Sequence, residues 1–212
     1  MRILELFSGS GSVGRIFEGA GWEVTSVDVL KSCAGYECTL CMSVLDIKLD
    51  QWPEGYWDVI WASPPCTEFS RAKSTGIRDT EKASALVRHT LALIQALKPK
   101  WWFLENPASG GLKHEEYMAG IPFADTSYCR WSDWGYRKNT RVWSNALKIW
   151  KPLPVCARDC PNMAFNAAGR LVHRTSAQKG PSRGTAQDRC FTSEELYRIP
   201  PKLVGSILEA VS

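Results

Sequence analysis

Apolar residues fall along this chain in two forms, short runs that are mostly apolar and one longer stretch at helical spacing. Arg2-Ile3-Leu4-Glu5-Leu6-Phe7, Trp57-Asp58-Val59-Ile60-Trp61-Ala62 and Lys100-Trp101-Trp102-Phe103-Leu104 belong to the first form. Such runs predict buried strands, the habit of a parallel sheet covered on both faces. Trp22-Glu23-Val24-Thr25-Ser26-Val27-Asp28 reads as another strand, and Ser43-Val44-Leu45 as the end of a further one. Between residues 79 and 97 the positions Ala83, Leu86, Val87, Leu91, Ile94 and Leu97 share one helical face, which predicts a helix packed on that sheet. A shorter helix is expected over residues 13–20, closed by Gly21. Strands and helices in alternation predict an α/β fold, a mostly parallel sheet with helices on both faces.

In open α/β sheets ligands bind at the carboxyl ends of the strands, so the residues at those ends carry the candidate chemistry. After the first strand, Ser8-Gly9-Ser10-Gly11-Ser12 makes a tight turn into a helix, small enough for a nucleotide to lie against the backbone. Asp28 closes the second strand, where such folds bind ribose hydroxyls; capping a helix is its structural alternative. Asp46 stands at the expected third strand end, in reach of an adenine amino group. The strand ending at Ala62 runs into Ser63-Pro64-Pro65-Cys66. Two prolines fix φ at about −65° and remove two N–H donors, so the chain must leave the sheet and hold Cys66 in one orientation. An aimed thiol suits covalent catalysis; a small, inert apolar side chain is the alternative. The last run ends in Glu105-Asn106-Pro107, which puts an acid where that strand is expected to leave the sheet. It is placed either to share a proton with a ligand or to cap the following turn.

Taken in order, Glu5-Leu6-Phe7-Ser8-Gly9-Ser10-Gly11, Pro64-Pro65-Cys66 and Glu105-Asn106-Pro107 resemble the cofactor, nucleophile and Glu-Asn motifs of the cytosine-C5 DNA methyltransferases, most closely the compact, phage-type members. The resemblance runs from Arg2 to about Asn145 and is specific through the ordered set. It implies a Rossmann-like domain that binds S-adenosylmethionine (AdoMet) and transfers its methyl group to carbon 5 of a cytosine flipped out of the helix. Carried over, Phe7 would stack on the adenine, Gly9 and Gly11 would face the methionine moiety, and Asp28 and Asp46 would contact ribose and adenine. Ser8, Ser12, Val29, Ile47 and Pro64 complete the implied cofactor site. Cys66 would add to C6 of cytosine, and Glu105 would hydrogen-bond N3 and the exocyclic amine. Arg141 matches the last arginine of the family's Gln-x-Arg-x-Arg motif and would contact the base carbonyl or Glu105; Arg137 and Asn139 stand where the motif has Gln and Arg. Amino-group methyltransferases share the Ser-Pro-Pro turn but need an aromatic where this chain has Cys66, which favours C5 chemistry. An RNA cytosine as substrate, or a silent nucleic-acid-binding module of the same fold, are the other readings.

Organisation follows from the same comparison. Residues 1–145 would form the AdoMet-binding core, 146–198 a reduced basic recognition segment, and 199–212 a C-terminal helix packed back on the core. Family members normally carry a larger recognition domain after the arginine motif, so recognition here is expected to be short, loose or shared with a partner. Charge supports the division: residues 1–136 hold 13 Lys and Arg against 17 Asp and Glu, whereas residues 137–212 hold 13 against 5. The basic part is the expected face for duplex DNA, through Arg137, Lys138, Arg170, Arg174, Lys179 and Arg183, unless it is simply a solvated loop.

With 212 residues and 44% apolar content the chain is long enough for one compact core, as a monomer or weak oligomer. It has no apolar run of transmembrane length and no signal-like start, so a soluble, cytoplasmic protein is expected, nuclear in a eukaryote, with its eight cysteines reduced. Cys156, Cys160, His173 and Cys190 make a four-ligand set of zinc-binding types in a segment poor in regular structure; unliganded thiols are the alternative. Cys33, Cys38 and Cys41 lack a fourth ligand nearby and are expected to bind nothing.

Overall fold

The computed structural model describes residues 1–69, 79–177, 184–187 and 191–212. In chain order the elements are β1 (Arg2–Leu6), α1 (Gly14–Gly19), β2 (Glu23–Asp28), β3 (Ser32–Cys33), β4 (Tyr36–Glu37), β5 (Leu40–Cys41), β6 (Val59–Ala62), α2 (Thr80–Leu97), β7 (Trp101–Pro107), β8 (Phe123–Ser127), β9 (Asn139–Ser144), β10 (Met163–Phe165), β11 (Leu171–His173), α3 (Ser193–Tyr197) and α4 (Pro201–Val211). Seven strands make one sheet in the order β5-β2-β1-β6-β7-β9-β8. β5, β2, β1, β6 and β7 are mutually parallel; β9 runs antiparallel to both β7 and β8. The crossing from β2 back past β1 to β6 leaves a crevice at the carboxyl ends of those strands, where open α/β sheets take their ligands.

Alternation along each strand supplies two cores. Ile3, Val59, Trp61, Phe103 and Val142 face α1 and α4, whose Phe17, Leu203, Val204 and Ile207 cover them. Leu4, Leu6, Ile60, Ala62, Leu104 and Trp143 face α2, which contributes Val87, Leu93, Ile94 and Leu97. The doubly buried runs seen in the sequence are therefore strands covered on both sides, and the fold is a Rossmann-like α/β sheet with helices on both faces. Asp79 caps α2 by accepting the Lys82 N–H at 3.0 Å. The buried stripe of α2 is turned slightly from the expected one, taking in Thr90 and Leu93 and leaving Leu86 and Leu91 half-exposed.

Two local expectations are corrected. Ser43-Val44-Leu45 is no strand: Ser43 caps a one-turn 3-10 helix, Val44–Asp46, by accepting the Leu45 N–H. Glu105-Asn106-Pro107 does not leave the sheet, because β9 pairs with β7 as far as Pro107↔Thr140. The pairing partner lies more than thirty residues downstream, so local sequence gives no sign of it. No described helix is long and apolar enough to cross a membrane.

Candidate active site

β1 delivers the first wall of the site. Phe7, just past its end, has φ +60°, and Gly9 and Gly11 have φ +48° and +66°; the turn bends through left-handed backbone that glycine adopts freely and phenylalanine does not. Gly9 N–H donates to Asp28 Oδ2 at 2.9 Å, and Leu30 N–H donates to Asp28 Oδ1 at 2.9 Å. Asp28 thus ties the first two loops together. A Cβ at Gly9 would meet nothing within 4 Å, whereas one at Gly11 would stand 2.3 Å from the Tyr36 ring. Glycine at 9 leaves room for a ligand; glycine at 11 leaves room for Tyr36. The turn is braced from below by Glu5, whose carboxyl accepts the Val13 and Gly14 N–H groups. Burial drives its pKa up from 4.5 to about 8, against the pull of those two donors.

The second wall is the Pro-Pro turn after β6. Ser63 N–H donates to Leu6 O, Trp61 Nε1–H to Ser63 Oγ at 2.8 Å, and Asn106 Nδ2–H to Pro64 O at 2.9 Å. Asn106 therefore fastens the Cys66 turn to β7. Glu105 stands beside it, buried, with Tyr128 Oη–H donating to its Oε1 at 3.1 Å and Thr140 Oγ1–H to the same oxygen. Its Oε2 takes no hydrogen bond from the described residues.

These parts line one cavity of about 310 Å³, bounded by Glu5, Phe7, Ser8, Gly9, Ser12, Asp28, Val29, Pro64, Cys66, Glu105 and Lys138, among others. The size suits a small organic ligand. Burial pushes the Cys66 thiol above its ordinary pKa; the Lys138 charge pulls it back and the Glu105 charge adds to the rise. Burial and the nearby Glu105 charge hold Tyr128 well above the usual phenol range, so it stays a neutral donor.

Not every expected residue reaches the cavity. Gly11 backs onto Tyr36; Asp46 is exposed on its 3-10 turn; Ile47 is buried in the core, its carbonyl against His89 Nε2 at 3.0 Å. Arg141 is the clearest correction. It pairs bidentately with Asp125 at 2.7 and 2.8 Å, its guanidinium 3.5 Å from the centre of the Phe123 ring, on the face of β9 opposite Glu105. Residues 137, 139 and 141 share a parity that points away from the acid, and the cavity side belongs to Lys138 and Thr140. Thr140 and Tyr128 escaped the sequence reading; the parity of the Lys-x-Thr pair would have pointed to Thr140.

Of the expected DNA contacts, Arg137 donates to Cys156 O, and Lys138 donates to Leu196 O at 3.0 Å with its ammonium 4.8 Å from the centre of the Tyr128 ring. Arg170 is exposed, whereas Arg174 turns inward onto Asn162 Oδ1. Lys179, Arg183 and Cys190 lie outside the described residues. Cys156, Cys160 and His173 do come together, and the fourth member of their cluster is Cys129.

The cavity also passes a fit test for AdoMet. Ser8 Oγ is buried in its wall with no partner among the described residues, Gly9 opens onto free space, and both Asp28 oxygens keep lone pairs for hydroxyl donors.

The family described as C-5 cytosine-specific DNA methylase matches residues 1–119. A relative from Frog virus 3 (isolate Goorha), named "Probable DNA (cytosine-5)-methyltransferase", is 35% identical over 225 aligned positions, covering 99% of each chain. "Type II methyltransferase M.XorII" of Xanthomonas oryzae pv. oryzae is 29% identical over 133, covering 56% of this chain and 31% of its own length. Among solved structures, the S. pombe Dnmt2 methyltransferase covers 68% of this chain and 48% of its own, at 14% identity and a TM-score of 0.47. On the family match and the full-length viral relative, the chain belongs to the C-5 cytosine-specific DNA methylases, the DNA (cytosine-5-)-methyltransferases.

Proposed function

We propose that this chain methylates carbon 5 of cytosine in duplex DNA through a covalent adduct between Cys66 and C6 of a flipped-out base. The observation that carries the reading is the single cavity in which the Gly9–Asp28 turn, the Cys66 thiol and the Glu105 carboxyl meet. AdoMet, the cofactor of the family, supplies an electrophilic methyl group; Phe7, Ser8, Gly9, Asp28 and Val29 are the residues that would hold it. Every other task falls to the chain and the substrate.

Cys66 gives its proton to solvent and the thiolate sulfur adds to C6, breaking the C5–C6 π bond and driving that electron pair toward C5, N3 and the ring carbonyl. Glu105 meets N3 with Oε2, the oxygen that takes no hydrogen bond from the described residues, and shares a proton with N3 as charge develops there. Tyr128 and Thr140 fix the carboxyl by its other oxygen, so the bonding edge is aimed before the base arrives. Once C5 carries the methyl group, its hydrogen leaves as a proton to solvent, the C–H pair re-forms the C5–C6 double bond, and the C–S pair departs as the Cys66 thiolate while N3 returns its proton to Glu105. Lys138 lowers the cost of the thiolate at the start of the cycle.

The basic stretch over residues 146–198 serves as the DNA-facing segment, since phosphate contacts supply most non-specific affinity. Labelled AdoMet with duplex DNA and with RNA, followed by nucleoside analysis, tests the reading: 5-methyldeoxycytidine is expected, and label confined to RNA would replace the substrate. DNA carrying 5-fluorocytosine should trap a denaturation-resistant adduct through Cys66, because fluorine cannot leave as a proton does. Methylated DNA without any such adduct would remove the covalent step.

A further inference from the structure

Outside the active site, the structure gathers three thiols and an imidazole. Cys129 lies in the one-turn 3-10 helix Tyr128–Arg130 after β8, Cys156 and Cys160 in the extended segment beyond β9, and His173 at the end of β11. Their four ligand atoms all lie within 4.8 Å of one another. His173 Nε2 is 3.6 Å from Cys156 Sγ and 3.4 Å from Cys160 Sγ. A tetrahedral zinc with Zn–S of about 2.3 Å and Zn–N of about 2.0–2.1 Å requires S···N edges of about 3.6 Å and S···S edges of about 3.8 Å. The cluster already has nearly that spacing, and none of its thiols is in a disulfide.

The surroundings are those of a metal ligand rather than of packed thiols. Arg158, at φ +71°, turns its backbone N–H onto Cys156 Sγ at 3.3 Å, a donor that suits a thiolate. Arg130 clamps Asp159 with two bonds of 2.6 and 2.7 Å, joining the Cys129 turn to the Cys156–Cys160 loop from outside. Arg130 and Arg137 bring positive charge to a Zn²⁺ centre that three thiolates would leave at net −1. Four protein ligands close the shell and leave no position for a substrate, which marks a structural site. Sulfur-rich tetrahedral coordination selects zinc over the harder divalent ions.

We propose that Cys129, Cys156, Cys160 and His173 bind one structural Zn²⁺, three thiol protons being released as it enters, and that this ion fixes the segment from 156 to 173 against the catalytic sheet. The proposal stands apart from the methyl-transfer reading. Its consequence for the active site is positional: Cys129 follows Tyr128, which donates to Glu105, and Cys156 O holds Arg137, which precedes Lys138.

The experiment uses the full chain produced in zinc-supplemented medium, with metal content read by elemental mass spectrometry. About one zinc per chain is expected, released stoichiometrically to a chromophoric chelator when a mercurial blocks the thiols. Cobalt replacement should give the visible bands and sulfur-to-metal charge transfer of a tetrahedral thiolate site. Cys129→Ser and Cys160→Ser should lower bound zinc at least tenfold, whereas Cys190→Ser and Cys38→Ser should keep it. His173→Cys supplies a fourth thiolate, so it should retain metal while its cobalt spectrum changes; that readout remains valid if the serine variants fold poorly. Wild-type chain with under a tenth of an equivalent of zinc and no cobalt uptake would overturn the proposal. So would zinc retained by Cys129→Ser but lost by Cys190→Ser.

Discussion

Two carboxylates lie close together in the β7-β9-β8 part of the sheet, on opposite faces, and they are held in opposite ways. On the cavity side Glu105 is grasped by two neutral hydroxyls on one oxygen. On the far side Asp125 is matched oxygen for nitrogen by the guanidinium of Arg141. The first arrangement fixes a position while leaving one oxygen open among the described residues. The second satisfies both oxygens with permanent charge and leaves nothing to exchange. A charged partner makes an acid structural, and neutral donors keep it reactive.

The largest effect should come from the group that the reactive face serves. Cys66→Ala is expected to abolish methyl transfer while AdoMet binding, followed by calorimetry, and thermal stability stay near wild type; substantial residual turnover would mean that no thiol adduct is needed. Glu105→Gln keeps the size and the hydrogen bonds but not the transferable proton, and turnover should fall on the order of 10²–10³-fold with little change in AdoMet affinity. An equal loss in both would move Glu105 into the cofactor site. Lys138→Met tests the charge that opposes the rise in the Cys66 pKa. Without it the thiol pKa climbs further, so the rising acid limb of kcat against pH should shift to higher pH. Turnover on the limb should drop about tenfold for each unit moved, and an unmoved limb would show that Lys138 acts only on DNA.

The far side should be quieter. Arg141→Ala breaks the pair with Asp125 and should cost about 1 kcal/mol of stability, measured by denaturant unfolding, with turnover within a few-fold of wild type. A hundredfold loss in turnover at unchanged stability would return Arg141 to the substrate. The smallest effect concerns Glu5. Its carboxyl keeps its proton in the folded chain up to about pH 8 but releases it near 4.5 when unfolded. Stability from this group is complete below the lower value and is lost as pH rises through the higher one. The Tm of wild type should therefore fall more steeply than that of Glu5→Gln between those limits; parallel curves would mean that Glu5 is ionised when folded.

The same two faces show where sequence stops being legible. The runs that became β1, β6 and β7 could be read because strands buried on both sides are largely apolar on both faces. Cys66 and Glu105 were expected at the ends of those runs, and both line the cavity. In β9 the useful information is a parity, and a slip of one residue exchanges its faces: Arg141 matches a motif, yet Thr140 is the residue that touches Glu105. Asp46 could not be placed because Ser43 captures the chain into a 3-10 turn before a strand forms. Cys129 was missed for a third reason. It reaches Cys156 only through the tertiary fold, and its own neighbours, Tyr128 and Arg130, carry no ligand spacing.

One side chain described above also bears on how this protein ages. Asn106 holds the Cys66 turn by donating its amide hydrogen to Pro64 O, while its own Oδ1 is buried and takes no hydrogen bond from the described residues. Conversion of that amide to a carboxylate would exchange a donor for an anion facing a carbonyl oxygen. Spontaneous deamidation ordinarily begins when the backbone nitrogen of the next residue attacks the side-chain amide and closes a succinimide. That next residue is Pro107, whose nitrogen has no hydrogen to lose. The proline that follows the asparagine thus closes the usual chemical route by which that amide would decay, and with it the usual way the thiol would lose its bracket.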